Sequence, residues 1–187
     1  MKLFLTSSGL ETETILQTFV SLFDKPCADV RALFIPTAAI DADAIEVLPK
    51  CMNDLLRCGI PKENITVFDL HEGMALDALM QYDAVYLTGG RTSYLLSRLR
   101  DTGFAGTLLA YLDRGGVVIG VSAGSLIFAD NLEGNLGLLP TYLSVHCPKD
   151  NPRGALALPL PERFDLGNHS AILMRSPQDM ELVSDVD

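Results

Sequence analysis

The sequence predicts a single α/β domain over residues 1–187, a three-layer sandwich with helices on both faces of a mostly parallel central sheet. Short apolar runs alternate with longer amphipathic segments along the chain, which is typical of parallel strands joined by crossover helices. The chain has 187 residues, of which 48% are hydrophobic. It is therefore about one domain long and can bury a substantial core.

Apolar runs mark six strand candidates. We expect strands at residues 2–5, 31–35, 65–70, 84–87, 117–120 and 171–174. The run at 117–120 (VVIG) is apolar throughout, as strands buried on both faces usually are. Stretches with apolar residues at helical spacing predict helices at residues 11–23, 42–58, 92–100, 106–114 and 123–129. We interpret the Pro-rich stretch 148–161 as a long surface loop.

The charge balance excludes two classes of partner. The chain carries 14 Lys and Arg against 24 Asp and Glu, a formal net charge of −10. Such a chain repels phosphate backbones and anionic membrane surfaces unless a local basic patch intervenes, and the sequence contains none. We therefore expect neither nucleic acid nor membrane as a partner.

The cysteines and the N-terminus predict a cytoplasmic protein. The four cysteines (Cys27, Cys51, Cys58 and Cys147) form no CxxC pair and no metal-ligand spacing, so we expect reduced thiols and no bound metal. The apolar start at residues 3–5 is too short for a signal-peptide core. No apolar stretch approaches the roughly 20 residues of a membrane-spanning helix.

The segment that most strongly indicates a catalytic function is GVSAG at residues 120–124. It fits the G-x-S-x-G pattern of a nucleophile elbow, in which a sharp turn from strand to helix exposes the serine hydroxyl. The apolar strand before it and the apolar helix after it are the context that an elbow requires. Ser122 is then the candidate nucleophile, and the backbone N–H of Ala123 is a candidate oxyanion donor.

Two alternative interpretations apply to this segment. A Gly-rich turn with a capping serine has the same pattern and no chemistry. A phosphate-binding loop fits the glycines from Gly115 to Gly120, but Val121 occupies the position where that motif needs lysine, so this interpretation fails.

A serine nucleophile needs a base, and the chain has three histidines. His71 follows the third predicted strand, His146 ends a short apolar run, and His169 precedes the last strand. Chain order favours His146, because it follows the nucleophile helix and a strand-like stretch that returns it to the active edge of the sheet.

Several stretches of this chain resemble the dipeptidase E family of serine peptidases, which includes aspartyl dipeptidases and the more distant cyanophycinases. The matching stretches are KLFLTSSGL at 2–10, FIPTAA at 34–39, YLTGGRTSYLL at 86–96 and GGVVIGVSAGSLIFAD at 115–130. LGLLPTYLSVH at 136–146 and NHSAILM at 168–174 match more loosely. The resemblance covers most of the chain, and the Gly-Gly and GVSAG segments in this order are specific.

The resemblance implies a class I glutamine-amidotransferase-like fold, with Ser122 and His146 as catalytic residues. It implies that Gly90 joins Ala123 in the oxyanion hole and that no cofactor is needed. In aspartyl dipeptidases the loop between serine and histidine supplies the acid of the triad, so Asp130 is the first candidate here and Glu133 the second. Serine at the elbow, where amidotransferases have cysteine, favours the peptidase branch.

We expect Gly89, Arg91 and Thr92 to contact substrate. Arg91 replaces the asparagine usual in the family, and it would begin a helix, where its guanidinium and the free N–H groups suit a carboxylate. A solvated arginine paired with a surface acid is the alternative.

The leading hypothesis is a serine peptidase that hydrolyses small peptides, such as N-terminal aspartyl dipeptides. The alternatives are a non-catalytic descendant that binds a small ligand, and an esterase or amidase with non-peptide substrates. A homodimer is compatible with the sequence but not required by it.

Overall fold

The computed structural model describes residues 1–186. It contains ten strands: β1 (Lys2–Thr6), β2 (Ala32–Ile35), β3 (Ile65–Val67), β4 (Ala84–Leu87), β5 (Val117–Val121), β6 (Tyr142–Cys147), β7 (Gly154–Ala155), β8 (Arg163–Gly167), β9 (Ser170–Ser176) and β10 (Asp179–Ser184). Its α-helices are α1 (Glu13–Val20), α2 (Ala42–Glu46), α3 (Leu48–Arg57), α4 (Leu76–Leu79), α5 (Thr92–Asp101), α6 (Phe104–Asp113) and α7 (Ala123–Leu126).

The central sheet has eight strands in the order β3-β2-β4-β5-β1-β9-β10-β7. The five strands from β3 to β1 are parallel, and β9, β10 and β7 extend the sheet with antiparallel pairs. A separate two-stranded sheet pairs β6 with β8 in parallel.

Helices cover both faces of the central sheet. The first layer is α1 and α3, whose buried residues pack with Phe4, Phe34 and Ile119. The second layer is α4 to α7, which pack with Leu3, Leu5 and other residues of the opposite strand face. Alternate residues of one strand thus enter opposite cores, as the period of two in a strand requires. The expected three-layer α/β class, with a mostly parallel sheet, is confirmed.

Two predicted helices differ from the structure by more than their end residues. The helix expected at 42–58 is divided at Val47 into α2 and α3, because Pro49 stands in the first turn of α3 and has no N–H to continue the ladder from α2. The helix expected at 123–129 ends at Leu126, after which Phe128 and Ala129 donate to carbonyls three residues back, in tighter turns.

The second half of the chain holds most of the unpredicted structure. β8 and β10 were not predicted as strands, and β6 was expected only as a strand-like stretch before His146. The expected loop 148–161 is irregular except for the short strand β7. Within residues 1–186, no helix is both long and apolar enough to cross a lipid bilayer.

Candidate active site

Ser122 lies at a sharp turn between β5 and α7. Its backbone has φ 49° and ψ −110°, a conformation that non-glycine residues rarely adopt. Its N–H donates to the Thr6 carbonyl at 3.0 Å, which ties the turn to the end of β1. The strained backbone is therefore held from outside, as at functional sites generally.

Two glycines allow the close packing of this turn. A Cβ on Gly120 would overlap the Gly124 carbonyl oxygen, and a Cβ on Gly124 would overlap the Leu87 carbonyl oxygen of β4. The buried Ser125 hydroxyl binds the Thr6 N–H at 3.0 Å and lies 2.8 Å from the Gly120 carbonyl oxygen. The GVSAG pattern thus encodes a close approach of α7 to β4 and β5, while Ser122 itself takes the positive φ.

His146 is the histidine that contacts Ser122. Its Nε2 lies 3.0 Å from Ser122 Oγ. It sits near the end of β6 with a positive φ of 59°, and its N–H donates to Ser7 Oγ at 2.6 Å. The distance lies within the reach of a base that takes the serine proton.

Asn168, in the turn before β9, lies behind His146. Its Oδ1 is 3.2 Å from His146 Nδ1, 3.1 Å from Ser7 Oγ and 2.7 Å from Ser8 Oγ. When Nε2 accepts the Ser122 proton, Nδ1 carries a proton and donates to this oxygen. Asn168 therefore occupies the orienting position that a carboxylate fills in a Ser-His-Asp triad.

Asp54 of α3 holds the loop that carries Ser7 and Ser8. Asp54 Oδ2 accepts hydrogen bonds from the Leu10 N–H at 3.1 Å and the Tyr86 hydroxyl at 2.8 Å. Burial raises the pKa of the Asp54 carboxyl. This contact fixes the backbone after β1 and thus the two hydroxyls that face His146 and Asn168.

The expected acids of the triad do not reach the histidine. Asp130 is exposed and accepts a 3.5 Å hydrogen bond from Asn135, and Glu133 is also exposed. Among residues 1–186, no carboxylate oxygen lies within 4.0 Å of a His146 ring nitrogen. The reason is that the chain from α7 to β6 turns away from the site, whereas the turn before β9 comes back to it.

We expect Asp130→Asn to leave kcat within about twofold of the unmodified protein, because its carboxylate contacts no site residue. Steady-state hydrolysis of the best available substrate measures this. A loss of about tenfold or more in kcat, with unchanged circular dichroism, would return Asp130 to the site.

The other two histidines lie away from Ser122. His71 Nε2 pairs with Asp69 at 3.0 Å, and His169 Nδ1 pairs with Asp150 at 2.9 Å. The His169 backbone and side chain hold the pKa of Asp150 below its usual value, against the opposing effect of desolvation. Neither imidazole is placed to act on Ser122.

The expected oxyanion donors flank Ser122. Gly90, with φ 138°, lines the same cavity as Ser122, and Ala123 follows Ser122 at the start of α7. Within residues 1–186, neither N–H donates a hydrogen bond. Backbone N–H groups without an acceptor, near the Ser122 hydroxyl, are suited to a developing negative charge.

A cavity of about 290 Å³ opens beside Ser122 and His146. Gly89 and Gly90 form part of its wall, and α2 and α3 contribute the rest, including Asp43, Ala44, Val47, Lys50 and Cys51. Burial raises the pKa of the Cys51 thiol, so this sulfur is present as neutral thiol and not as a competing nucleophile.

Two expected substrate contacts lie outside this cavity. Arg91 donates to Asp41 Oδ1 at 2.8 Å, and both side chains are 55% exposed. Thr92 lines a separate surface depression with Ser93 and Leu126. The position of Arg91 is the surface ion pair that the sequence left as the alternative, while Gly89 lines the cavity beside Ser122.

Comparison with known proteins identifies the family. The model of Peptidase family S51 matches residues 3–140, most of the chain and the whole region from β1 to the stretch after α7. The chain belongs to peptidase family S51. The resemblance to the dipeptidase E family is thereby confirmed.

Curated relatives agree with this membership. The chain is 27% identical over 132 residues to an uncharacterized peptidase of Pasteurella multocida, and 29% identical over 130 residues to one of Listeria monocytogenes. These matches cover 71% and 70% of this chain. The matched region is 62% of the length of each relative.

Solved structures agree with the fold. A structure described as a peptidase E protein from Listeria monocytogenes superposes with a TM-score of 0.71 at 22% identity, covering 96% of both chains. A peptidase from an acI-B1 actinobacterium gives a TM-score of 0.66 at 18% identity, covering 98% of this chain and 87% of that one. At these identities the likeness shows the shared fold.

The site residues that sequence reasoning missed are Asn168, Ser7 and Ser8. All three lie in stretches that carry the family resemblance, so the signal was present without a role attached to it. The sequence does not reveal the direction of β9, and this direction brings the three residues to His146. Because β9 pairs antiparallel with β1, with Ala171 opposite Thr6, the turn before β9 must lie beside the loop after β1.

Proposed function

We propose that this S51 chain hydrolyses small peptides by nucleophilic attack of Ser122, with His146 as the base. The observation that carries the proposal is the 3.0 Å contact between His146 Nε2 and Ser122 Oγ at a strained elbow. A hydroxyl that serves only as a cap needs neither a histidine in contact nor a positive φ. Family membership supports peptide bonds as the target.

The reaction follows from the positions of these groups. Ser122 Oγ attacks the scissile carbonyl carbon while His146 Nε2 takes the hydroxyl proton. The N–H groups of Gly90 and Ala123 stabilise the negative charge on the former carbonyl oxygen. His146 then gives its proton to the leaving amine, which leaves an acyl group on Ser122.

Water completes the cycle. His146 Nε2 removes a proton from a water molecule that attacks the acyl-serine carbon, and the same proton returns to Ser122 Oγ as the acid product leaves. Throughout, Asn168 Oδ1 accepts the Nδ1–H of His146 and keeps the ring in the tautomer with Nε2 toward Ser122. Asn168 supplies no negative charge, so it stabilises the imidazolium less than a carboxylate would.

The structure does not support a restriction to aspartyl substrates. That expectation came from the resemblance to aspartyl dipeptidases, and Arg91 was its only support among this chain's own residues. The Arg91 guanidinium is paired with Asp41 and absent from the cavity lining among the described residues. The proposed substrate class is therefore small peptides, with the side-chain preference decided by the cavity beside Ser122.

Labelling with a fluorophosphonate tests the proposal. We expect one label per chain on Ser122, because the probe reacts with serines activated by a base. Ser122→Ala should remove the label, and heat-unfolded protein should not react. Folded protein that takes no label would contradict the proposal and favour a non-catalytic binding protein. Labelling together with ester turnover but no peptide turnover would favour an esterase or amidase.

A further inference from the structure

The inner part of the cavity beside Ser122 is apolar. Cys51 of α3 and Val121 of β5 line its buried part. Ala44 of α2 lines it in a partly buried position, and Val47, which follows α2, lines it while 45% exposed. Cys51 and Val121 are only 6% and 5% exposed. A charged group placed against Cys51 and Val121 would lose part of its hydration without gaining a strong hydrogen-bond partner from them.

The charged residues that line the cavity leave a negative charge available. Lys50 is its cation, and the ammonium already pairs with the carboxylate of Glu11. Asp43 is its carboxylate, and within residues 1–186 it forms neither an ion pair nor a side-chain hydrogen bond. The available charge in the cavity is therefore negative, which disfavours an acidic side chain and attracts an ammonium group.

We propose that this cavity binds the uncharged apolar side chain of a peptide's N-terminal residue, with Asp43 receiving the α-ammonium group. The inference rests on the proposed function, since it places the carbonyl of that residue at Ser122. In this arrangement the apolar side chain of the peptide lies against Ala44, Val47 and Cys51. Its ammonium group lies near Asp43, the unpaired carboxylate of the cavity. A volume of about 290 Å³ fits a side chain of the size of valine, leucine or methionine, together with part of the backbone.

Binding to the Ser122→Ala protein tests this independently of catalysis. By calorimetry, we expect Leu-Gly to bind at least about tenfold more tightly than Asp-Gly, because the acidic side chain meets an apolar wall and a like charge. N-acetyl-Leu-Gly, which lacks the ammonium, should lose about three- to tenfold in affinity relative to Leu-Gly. Asp43→Asn should remove that difference between the acetylated and free peptides.

A matched pair of variants on α2 tests the location. Ala44→Lys places a cation in the cavity and should reverse the preference, so that Asp-Gly binds more tightly than Leu-Gly. Ala42→Lys adds the same charge to the same helix, at an exposed position outside the cavity, and should leave the preference unchanged. Circular dichroism of both variants checks that α2 and the fold remain intact.

Three results would overturn the inference. They are tighter binding of Asp-Gly than of Leu-Gly, equal shifts in the two lysine variants, and no saturable binding of Leu-Gly at concentrations up to about 10 mM, the weak end of measurable affinity. If any of them is found while fluorophosphonate still labels Ser122, the specificity is wrong and the proposed hydrolase function stands. Loss of the label with Leu-Gly binding intact would instead contradict the hydrolase function.

Discussion

Ser122→Ala, His146→Ala and the double variant are each expected to reduce kcat for peptide hydrolysis by about the same factor, at least about 10³-fold. The reason is that the two side chains act as one unit: the hydroxyl is a weak nucleophile without the base, and the base has no proton to take without the hydroxyl. Steady-state rates on one peptide substrate measure all three losses. Far-UV circular dichroism and thermal unfolding check that each protein is folded.

His71→Ala is the matched control for this experiment. His71 is paired with Asp69 at the surface, so its removal should leave kcat within about twofold. If the losses for Ser122 and His146 multiply in the double variant, the two residues act independently and His146 is not the base. A loss confined to the His71 variant would transfer that role to His71.

Asn168→Leu is expected to reduce kcat by roughly 10²-fold, with a smaller effect on KM. Leucine has a similar size but offers no acceptor to His146 Nδ1, and it leaves the Ser7 and Ser8 hydroxyls without their shared partner. The imidazole then loses the contact that fixes its tautomer. An unchanged kcat would show that Ser122 and His146 work as a dyad and that Asn168 only packs in the turn.

Asn168→Asp separates a positioning role from a structural one. A carboxylate in place of the amide favours the charged form of His146 and raises its pKa. Because the base must be neutral to act, the acidic limb of the kcat/KM profile should move to higher pH, and kcat on the plateau should equal or exceed that of the unmodified protein. Asp130→Asn, at a residue without contact to His146, should leave the profile in place. A profile for Asn168→Asp that does not move would contradict the contact with Nδ1.

The parallel half of the fold and the elbow were predictable because their signals are local. The strands β1, β2, β4 and β5 are short, mostly apolar runs buried on both faces, and β4 was predicted with the bounds that the structure has. GVSAG follows such a run, so Ser122 had to lie at the carboxyl edge of the sheet. His146 followed from chain order and resemblance, since nothing in its immediate neighbours marks a base.

The strands of the second half were harder because they are partly exposed. β8 (RFDLG) and β10 (DMELVS) mix charged and apolar residues over five or six positions. Over so few positions, the alternation of apolar and polar residues is too weak a signal to predict a strand. Their pairing, and the antiparallel direction of β9 and β10, depends on contacts between distant parts of the chain. The position of Asn168 was not predicted for the same reason: Asp130 is close to Ser122 along the chain, whereas Asn168 is close to His146 in space.

The sequence by itself determined the class of fold, the family of the chain, the position of Ser122 at an elbow and the two glycines that let α7 approach the sheet. These properties depend on residue types and on short spacings along the chain, and both can be read from the sequence. Only the tertiary structure decided that Asn168 stands behind His146, that Arg91 faces Asp41, and that α2 and α3 line the cavity beside Ser122. These features depend on strand direction and on which polar side chains lie close enough to pair. Both are set only when the whole chain is folded.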